Sequence, residues 1–130
     1  MPIVGPFLQL AGAAFVERTG DGRDRDVLAE AIDRIQLDGK SLVIAPEGTR
    51  SPTPRLGRFK TGAVRIAQQA GVPIVPIVIR NAGALMARSS IAVRPGVVDV
   101  VVLEPVDVSD RDPREATDAL RELMAAALAA

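Results

Sequence analysis

The chain has 130 residues, enough for about one domain with a single core, and it contains neither cysteine nor histidine. This composition excludes disulfides, thiolate nucleophiles, thiolate metal sites and acid–base chemistry by a histidine of this chain. Apolar residues make up 48% of the chain and aromatic residues only 2%, which favours an α/β fold with a core of Val, Ile, Leu and Ala. We therefore predict a single domain over residues 1–130.

The net charge of zero conceals an uneven distribution. Residues 1–47 carry five basic and eight acidic side chains and residues 99–130 carry three and eight, whereas residues 48–98 carry eight basic and no acidic ones. Such a block can attract an anion, or its arginines can pair with acids from the flanking segments, and the sequence leaves both open. Nucleic-acid binding is not indicated, because the block has one aromatic residue and no recognisable binding module. The basic residues are Arg50, Arg55, Arg58, Lys60, Arg65, Arg80, Arg88 and Arg94.

No stretch reaches the roughly 18 apolar residues of a membrane-spanning helix, because Gln9, Pro2, Gly5 and Pro6 interrupt the first apolar run. No positive charge precedes that run, so a secretory signal is not indicated. We expect a cytoplasmic protein that lies peripherally at the inner face of the membrane, with residues 3–16 able to rest against the bilayer.

The first predicted elements are a strand over residues 14–18 and an amphipathic helix whose apolar residues recur from residue 27 to residue 35. Asp24 or Asp26 can cap this helix and Gly39 can end it. A continuous apolar run over residues 41–45 predicts the next strand.

A second helix is predicted over residues 61–70, after a loop rich in Pro, Arg and Gly, with Gly71 at its end. One face of it is formed by Ala63, Ala67 and Ala70. Residues 72–79 are typical of a strand whose prolines suit only its start, an edge or a bulge. Residues 91–94 and 97–103 predict two further strands joined as a hairpin.

The last predicted helix follows Asp112, with a proline at its first position and a glutamate three residues after the cap. The alternation of strands and helices predicts right-handed crossovers and a mostly parallel sheet flanked by helices. Ligands usually sit beyond the carboxyl ends of such strands, where residues 47–51 would lie. The predicted buried stripe of the last helix comprises Ala116, Leu120, Leu123, Met124 and Ala127.

The segment Glu47-Gly48-Thr49-Arg50-Ser51 has a composition suited to phosphate. Arginine can bind phosphate with both arms, glycine lets backbone N–H groups come close, and hydroxyls add donors. Glu47 would repel a phosphate, so we interpret it as orienting Arg50 or accepting a hydrogen bond from a substrate hydroxyl. The alternative is a polar turn closed by a Glu47–Arg50 pair.

Further phosphate contacts can come from Arg18, at the end of the first strand, and from Lys60 and Thr61, at the start of the second helix. Free N–H groups and the helix dipole favour anions at such a position. The alternatives are an ordinary surface arginine and ordinary helix capping.

Four segments in this order resemble conserved blocks of the 1-acyl-glycerol-3-phosphate (phospholipid/glycerol) acyltransferases, with matching spacing over residues 12–77. The resemblance implies that an acyl chain passes from acyl-CoA or acyl carrier protein to the hydroxyl of lysophosphatidic acid. It implies an anionic membrane surface and phospholipid biosynthesis, with no cofactor beyond the acyl donor and no metal. The segments are Gly12-x-x-Phe15-Val16-x-Arg18, Pro46 to Ser51, Phe59-Lys60-Thr61-Gly62-Ala63 and Val72 to Ile77.

By this resemblance, one group of residues binds the phosphate of the acceptor and another is structural or lies on the acyl side. For the prolines of the second group, a role as strand-edge breakers is an alternative. The phosphate group is Arg18, Glu47, Gly48, Thr49, Arg50 and Lys60. The second group is Gly12, Phe15, Pro73 and Pro76.

The family's first block, His-x-x-x-x-Asp, has no counterpart in this chain. In it the histidine removes the proton of the acceptor hydroxyl and the aspartate orients the imidazole. Glu47 is a poor substitute, since a neighbouring arginine lowers the pKa of a carboxyl. We therefore expect an N-terminally truncated family domain without catalytic residues that is inactive alone. The alternatives are a non-catalytic module that binds anionic lipid or phosphate and a remnant that folds badly.

Overall fold

The structure, a computed structural model, describes residues 23–48, 55–85, 92 and 94–130. The chain divides into two compact units, Met1–Val43 and Ile44–Ala130. The described part of the first unit contains helix α1 (Arg23–Asp38). The described elements of the second unit are α2 (Gly62–Ala70), β1 (Ile77–Arg80), α3 (Ala82–Leu85), β2 (Asp99–Val102) and α4 (Pro113–Ala129).

Helix α1 confirms the first predicted helix and its end at Gly39. Gly39 adopts the left-handed conformation, with φ 62°, and the N–H of Lys40 donates to the carbonyl of Arg34 at 3.2 Å. A left-handed glycine is a common end of a helix. The predicted cap is wrong, because both Asp24 and Asp26 lie inside the described helix, Arg23–Asp38.

The predicted strand over residues 41–45 is not present, and Val43 is 90% exposed. A strand requires a partner for its backbone hydrogen bonds, and no described strand pairs with this run. The apolar composition of residues 41–45 therefore led to a wrong prediction of a strand. The predicted strand over residues 14–18 lies outside the described residues.

Helix α2 confirms the second predicted helix, and Gly71 ends it with φ 68°. Its N–H donates to the carbonyl of Gln68, and the N–H of Val72 donates to the carbonyl of Ala67 at 3.1 Å. The buried face differs from the alanine face predicted, because Ala63 is only half-buried. The buried residues are Val64, Ile66, Ala67 and Ala70.

The described sheet consists of β1 and β2, which pair antiparallel with Ile77 opposite Val102 and Arg80 opposite Asp99. The α/β class is retained, but the mostly parallel arrangement is not found in the described part of the chain. Only the short helix α3 is described between these strands, so the chain reverses direction instead of crossing over.

The predicted hairpin between residues 91–94 and 97–103 is also wrong, because the described positions 92 and 94 are not in a strand and β2 pairs with β1. Pro76 directly precedes β1, and its carbonyl accepts a hydrogen bond from the N–H of Leu103 at 3.0 Å. Proline fits there because its nitrogen has no proton to donate to the ladder. An isolated antiparallel bridge joins Ile74 to Val106.

Helix α4 begins as predicted, with Asp112 at the N-cap and Pro113 at the first helical position. The carboxylate of Asp112 accepts hydrogen bonds from the N–H groups of Arg114 at 2.8 Å and Glu115 at 3.0 Å. The cap therefore satisfies two of the backbone donors that a helix start leaves without an intrahelical partner.

The predicted buried stripe of α4 is correct in its first half only. Ala116 and Leu120 are buried, Met124 and Ala127 are half-buried, and Leu123 is 42% exposed. Thr117 is buried although the pattern omitted it, because its hydroxyl donates to the carbonyl of Pro113 at 2.6 Å. A hydroxyl satisfied within its own helix can enter a core.

The core of the second unit lies where α4 packs against α2 and β1. Two hydrogen bonds of 2.8 Å from the Gln68 side chain, to the carbonyls of Val108 and Arg111, tie α2 to the segment before α4. One face of the two-stranded sheet carries the buried Val78, and the other carries exposed Ile77, Ile79, Val100 and Val102. The central cluster is Val64, Ala67, Val108, Ala116 and Leu120.

Candidate functional site

Two short segments of the second unit lie side by side, and we call residues 46–48 and 56–60 together the loop pair. The carboxylate of Glu47 accepts a hydrogen bond from the N–H of Gly57 at 2.8 Å. The carbonyl of Pro46 accepts one from the N–H of Lys60 at 2.9 Å. The fold therefore brings Glu47 and Gly48 next to the residues that lead into helix α2.

Two glycines of the loop pair are required by its geometry. Gly48 lies in the left-handed region, with φ 67°, and its N–H closes a turn onto the carbonyl of Ala45 at 3.1 Å. At Gly57 a Cβ atom would come within 2.8 Å of the Glu47 Oε2 atom. A side chain would be strained at Gly48 and would collide with the Glu47 carboxylate at Gly57.

Glu47 uses its carboxylate to order a loop. Its Oε2 atom binds a main-chain N–H ten residues later in the chain, at a partly buried position. Neither predicted role, orienting Arg50 or accepting from a substrate hydroxyl, included this contact. The sequence offered only a weak signal for it, a glycine in a proline-rich and arginine-rich loop. Arg50 itself lies outside the described residues.

The N-terminus of helix α2 adjoins the loop pair. Lys60 is exposed, and the Thr61 side chain at the N-cap makes no capping hydrogen bond to the helix. The first turn contains no acidic residue, and a Cβ atom at Gly62 would meet nothing within 4 Å. N–H groups at such a helix start, next to a lysine, favour an anion.

Two arginines of helix α4 hold the second half of the loop pair. Arg121 donates from Nε to the carbonyl of Gly57 at 2.8 Å and from Nη2 to the carbonyl of Leu56 at 2.9 Å. Arg114 donates from Nη1 to the carbonyl of Phe59 at 3.1 Å, and the Phe59 side chain is buried. No local sequence pattern predicts these contacts, because the partners are 55 to 65 residues apart.

Asp118 lies one helical turn after Arg114 and forms an ion pair with it. The hydrogen bonds from Arg114 are the main reason that the pKa of Asp118 lies below its ordinary value. Partial desolvation opposes this shift, and the charges of Arg114, Arg58 and Arg121 add to it. The same hydrogen bonds raise the pKa of Arg114. Negative charge thus remains on α4 beside the arginines that bind the loop pair.

Of the predicted site residues, the structure brings Glu47, Gly48 and Lys60 together in the loop pair. Pro73 is exposed, whereas Pro76 is buried and its carbonyl accepts a hydrogen bond from the N–H of Leu103, the residue after β2. The predicted residues Gly12, Phe15, Arg18, Thr49 and Arg50 lie outside the described residues.

Among the described side chains, no group of three or more acidic residues converges as a metal site would require. Within the same part of the chain, every helix is too short or too polar to cross a bilayer.

Comparison with known proteins identifies the family of this chain. A family model described as Acyltransferase matches residues 1–80. The chain therefore belongs to the acyltransferase family.

Two of the relatives that the chain matches have the same enzyme name. The 1-acyl-sn-glycerol-3-phosphate acyltransferase of Saccharomyces cerevisiae is 32% identical over 112 residues, which are 85% of this chain and 37% of the relative. The enzyme of that name from Salmonella typhimurium is 33% identical over 125 residues, covering 96% of this chain and 49% of the relative. The predicted resemblance is thus confirmed.

A solved structure agrees with these matches. The crystal structure of the 1-acyl-sn-glycerophosphate (LPA) acyltransferase PlsC from Thermotoga maritima superposes with a TM-score of 0.75 at 30% identity. The alignment covers 82% of this chain and 44% of that one. The chain thus spans between about a third and a half of the length of these relatives.

Proposed function

We propose that this chain carries the acceptor-phosphate half of a lysophosphatidic acid acyltransferase site. The observation that carries the proposal is the hydrogen bond from Gly57 to Glu47, which holds the Glu47-Gly48 turn beside Lys60 and the start of helix α2. The relatives act, by their names, on 1-acyl-sn-glycerol-3-phosphate, which carries a phosphate and a free hydroxyl.

The proposed site binds the phosphate with main-chain and side-chain donors. Lys60 and the first N–H groups of α2 supply positive charge and hydrogen bonds at one place. Because Glu47 is bonded to Gly57, its negative charge serves to order the loop and is not directed at the ligand. By resemblance, Arg18, Thr49 and Arg50 complete the site.

The reaction of the family is transfer of an acyl group from a thioester, either acyl-CoA or acyl carrier protein. The acceptor hydroxyl attacks the thioester carbonyl, so that a C–O bond forms and the C–S bond breaks. The hydroxyl proton passes to a general base and then to the departing thiolate. This chain contains no histidine to act as that base, so we propose that it recognises the acceptor and does not catalyse transfer alone.

A lipid acceptor places the reaction at a membrane surface. The eight basic residues of the 48–98 block would favour an anionic leaflet, and we propose peripheral attachment at the inner face of the membrane. A second candidate, binding of anionic lipid without any catalytic role, is favoured by the combination of this block with the absence of histidine.

The proposal is tested by binding and by turnover. We expect the chain to bind lysophosphatidic acid but not monoacylglycerol, and to show no transfer from acyl-CoA. Lys60→Ala should weaken binding about fivefold, equivalent to roughly 1 kcal/mol for an exposed charge contact. Lys40→Ala, which alters the chain's other lysine in the first unit, is the matched control.

Equal affinity for the two lipids would contradict a phosphate site. Clear turnover that is lost in Arg50→Ala would contradict the proposed lack of activity. Salt-sensitive binding to vesicles of phosphatidic acid, without preference for the lysophospholipid, would favour the second candidate.

A further inference from the structure

A single peptide group links helix α4 to the proposed phosphate site. The carbonyl of Leu56 and the N–H of Gly57 belong to the same planar peptide unit. Arg121 donates to that carbonyl at 2.9 Å, and Glu47 accepts from that N–H at 2.8 Å. Rotating this peptide would break both hydrogen bonds at once, so Arg121 and Glu47 hold its two ends.

The guanidinium of Arg121 is suited to this role. Its Nε atom also donates to the carbonyl of Gly57 at 2.8 Å, so two neighbouring carbonyls bind to one rigid fork. A cation at the carbonyl end polarises the peptide, which strengthens the hydrogen bond that the N–H end donates to a carboxylate. A lysine offers a single charged nitrogen and would not reproduce this geometry.

The approach is close on the Glu47 side as well. A Cβ atom at Gly57 would lie 2.8 Å from Oε2, so this glycine permits the carboxylate to reach the peptide. Arg121 is half-buried and lies on the helix whose residues Ala116 and Leu120 enter the core of the second unit. The packing of the core therefore sets the position of Arg121, and the hydrogen bonds from Arg121 attach the loop pair to helix α4.

We propose that Arg121 is a positioning residue of the acceptor-phosphate site, which acts on Glu47 through the Leu56–Gly57 peptide. This inference rests on the proposed function for the identity of the ligand. Arg121 does not touch the phosphate itself. It determines where the Glu47-Gly48 turn lies relative to Lys60 and the N-terminus of α2.

The test combines a spectroscopic measurement with a binding measurement on the 130-residue chain. In Arg121→Gln we expect the amide proton of Gly57 to move upfield and to exchange faster with solvent, and the Kd for lysophosphatidic acid to rise about fivefold or more. Arg121→Lys should restore part of the affinity. Arg111→Gln, at an exposed arginine before α4, is the matched control and should change neither quantity.

A double-mutant cycle separates positioning from general stability. If Arg121 acts through Glu47, the effects of Arg121→Gln and Glu47→Gln on Kd should be less than additive, because either change releases the same peptide. Full additivity, or an unchanged Gly57 resonance in Arg121→Gln, would overturn the inference.

Two further outcomes remain distinguishable. If Arg121→Gln fails to fold, Arg121→Lys provides the test, because lysine keeps the positive charge but lacks the two-armed guanidinium. An unchanged Gly57 resonance in Arg121→Lys would overturn the inference. If the unaltered chain does not bind lysophosphatidic acid, the proposed function fails, and the inferred role at a phosphate site falls with it. The Gly57 resonance would then still report whether Arg121 holds the peptide next to Glu47.

Discussion

Glu47 shows how an acidic side chain can belong to the proposed phosphate site. A carboxylate aimed at a phosphate would repel it, but here it is bonded to the N–H of Gly57. The acid thus orders the backbone that surrounds the site. Two basic side chains also order this backbone: Arg121 donates to carbonyl groups of the loop pair, and Arg114 donates to the Phe59 carbonyl and to Asp118.

Acid should destabilise the fold partly through Asp118 and Asp107. A hydrogen bond from Arg114 lowers the pKa of Asp118, and the N–H of Ser109, followed by its side chain, lowers the pKa of Asp107. As pH falls below about 4, these two carboxylates are protonated first in the unfolded chain, where their pKa values are not lowered. The stability that they contribute to the fold is therefore present above that pH. It is lost as pH falls through their lowered pKa values in the folded chain.

We therefore expect Asp118→Asn to flatten the dependence of the urea midpoint on pH between about pH 5 and pH 2. Glu122→Gln, at an exposed position of the same helix, is the control. An unchanged slope in Asp118→Asn would show that its ion pair with Arg114 does not contribute.

At the scale of elements, helix α4 connects the core to the loop pair. Its inner face supplies Ala116 and Leu120 to the core, while Arg114 and Arg121 reach carbonyls of the loop pair. The start of the helix is held by the two hydrogen bonds to Asp112. A substitution that destabilises the first turn of α4 should therefore also weaken the contact of Arg114 with the loop pair.

Asp112→Ala should lower the free energy of unfolding by about 1 kcal/mol, because it removes an N-cap that accepts two backbone N–H groups. Urea denaturation followed by circular dichroism measures the change. Asp110→Ala, at an exposed position two residues earlier, should stay within about 0.5 kcal/mol. Equal effects of the two substitutions would contradict the capping role.

At the scale of the molecule, the second unit has a small core, built from aliphatic side chains of α2, α4 and the segment that contains Val108. Leu120 is 6% exposed in this core, whereas Leu123 on the same helix is 42% exposed. The two leucines thus form a matched pair for measuring how much of the stability comes from burial.

Leu120→Ala should destabilise the second unit by about 2–5 kcal/mol, through lost burial and the cavity that remains. Leu123→Ala should cost about 1 kcal/mol or less. Hydrogen exchange of amides in α2 and α4 reports on this unit directly. A larger effect at Leu123 than at Leu120 would mean that the packing face of α4 is misassigned.

The sequence by itself determined the features that depend on near neighbours. The ends of α1 and α2 at Gly39 and Gly71 and the start of α4 at Asp112-Pro113 follow from capping within a few residues. The order and spacing of four segments between residues 12 and 77 also predicted the family.

Only the tertiary structure decided the features that join distant parts of the chain. They include the antiparallel pairing of β1 with β2, the burial of Thr117 in place of Leu123, and the contact of Arg121 with the loop pair 64 and 65 residues away. Strand pairing and side-chain contacts over such separations depend on which surfaces pack together. Local propensity carries no information about which surfaces pack together. The sequence therefore revealed Glu47, Gly48 and Lys60 as candidate site residues, but it did not reveal that Arg114 and Arg121 bind the loop that contains Lys60.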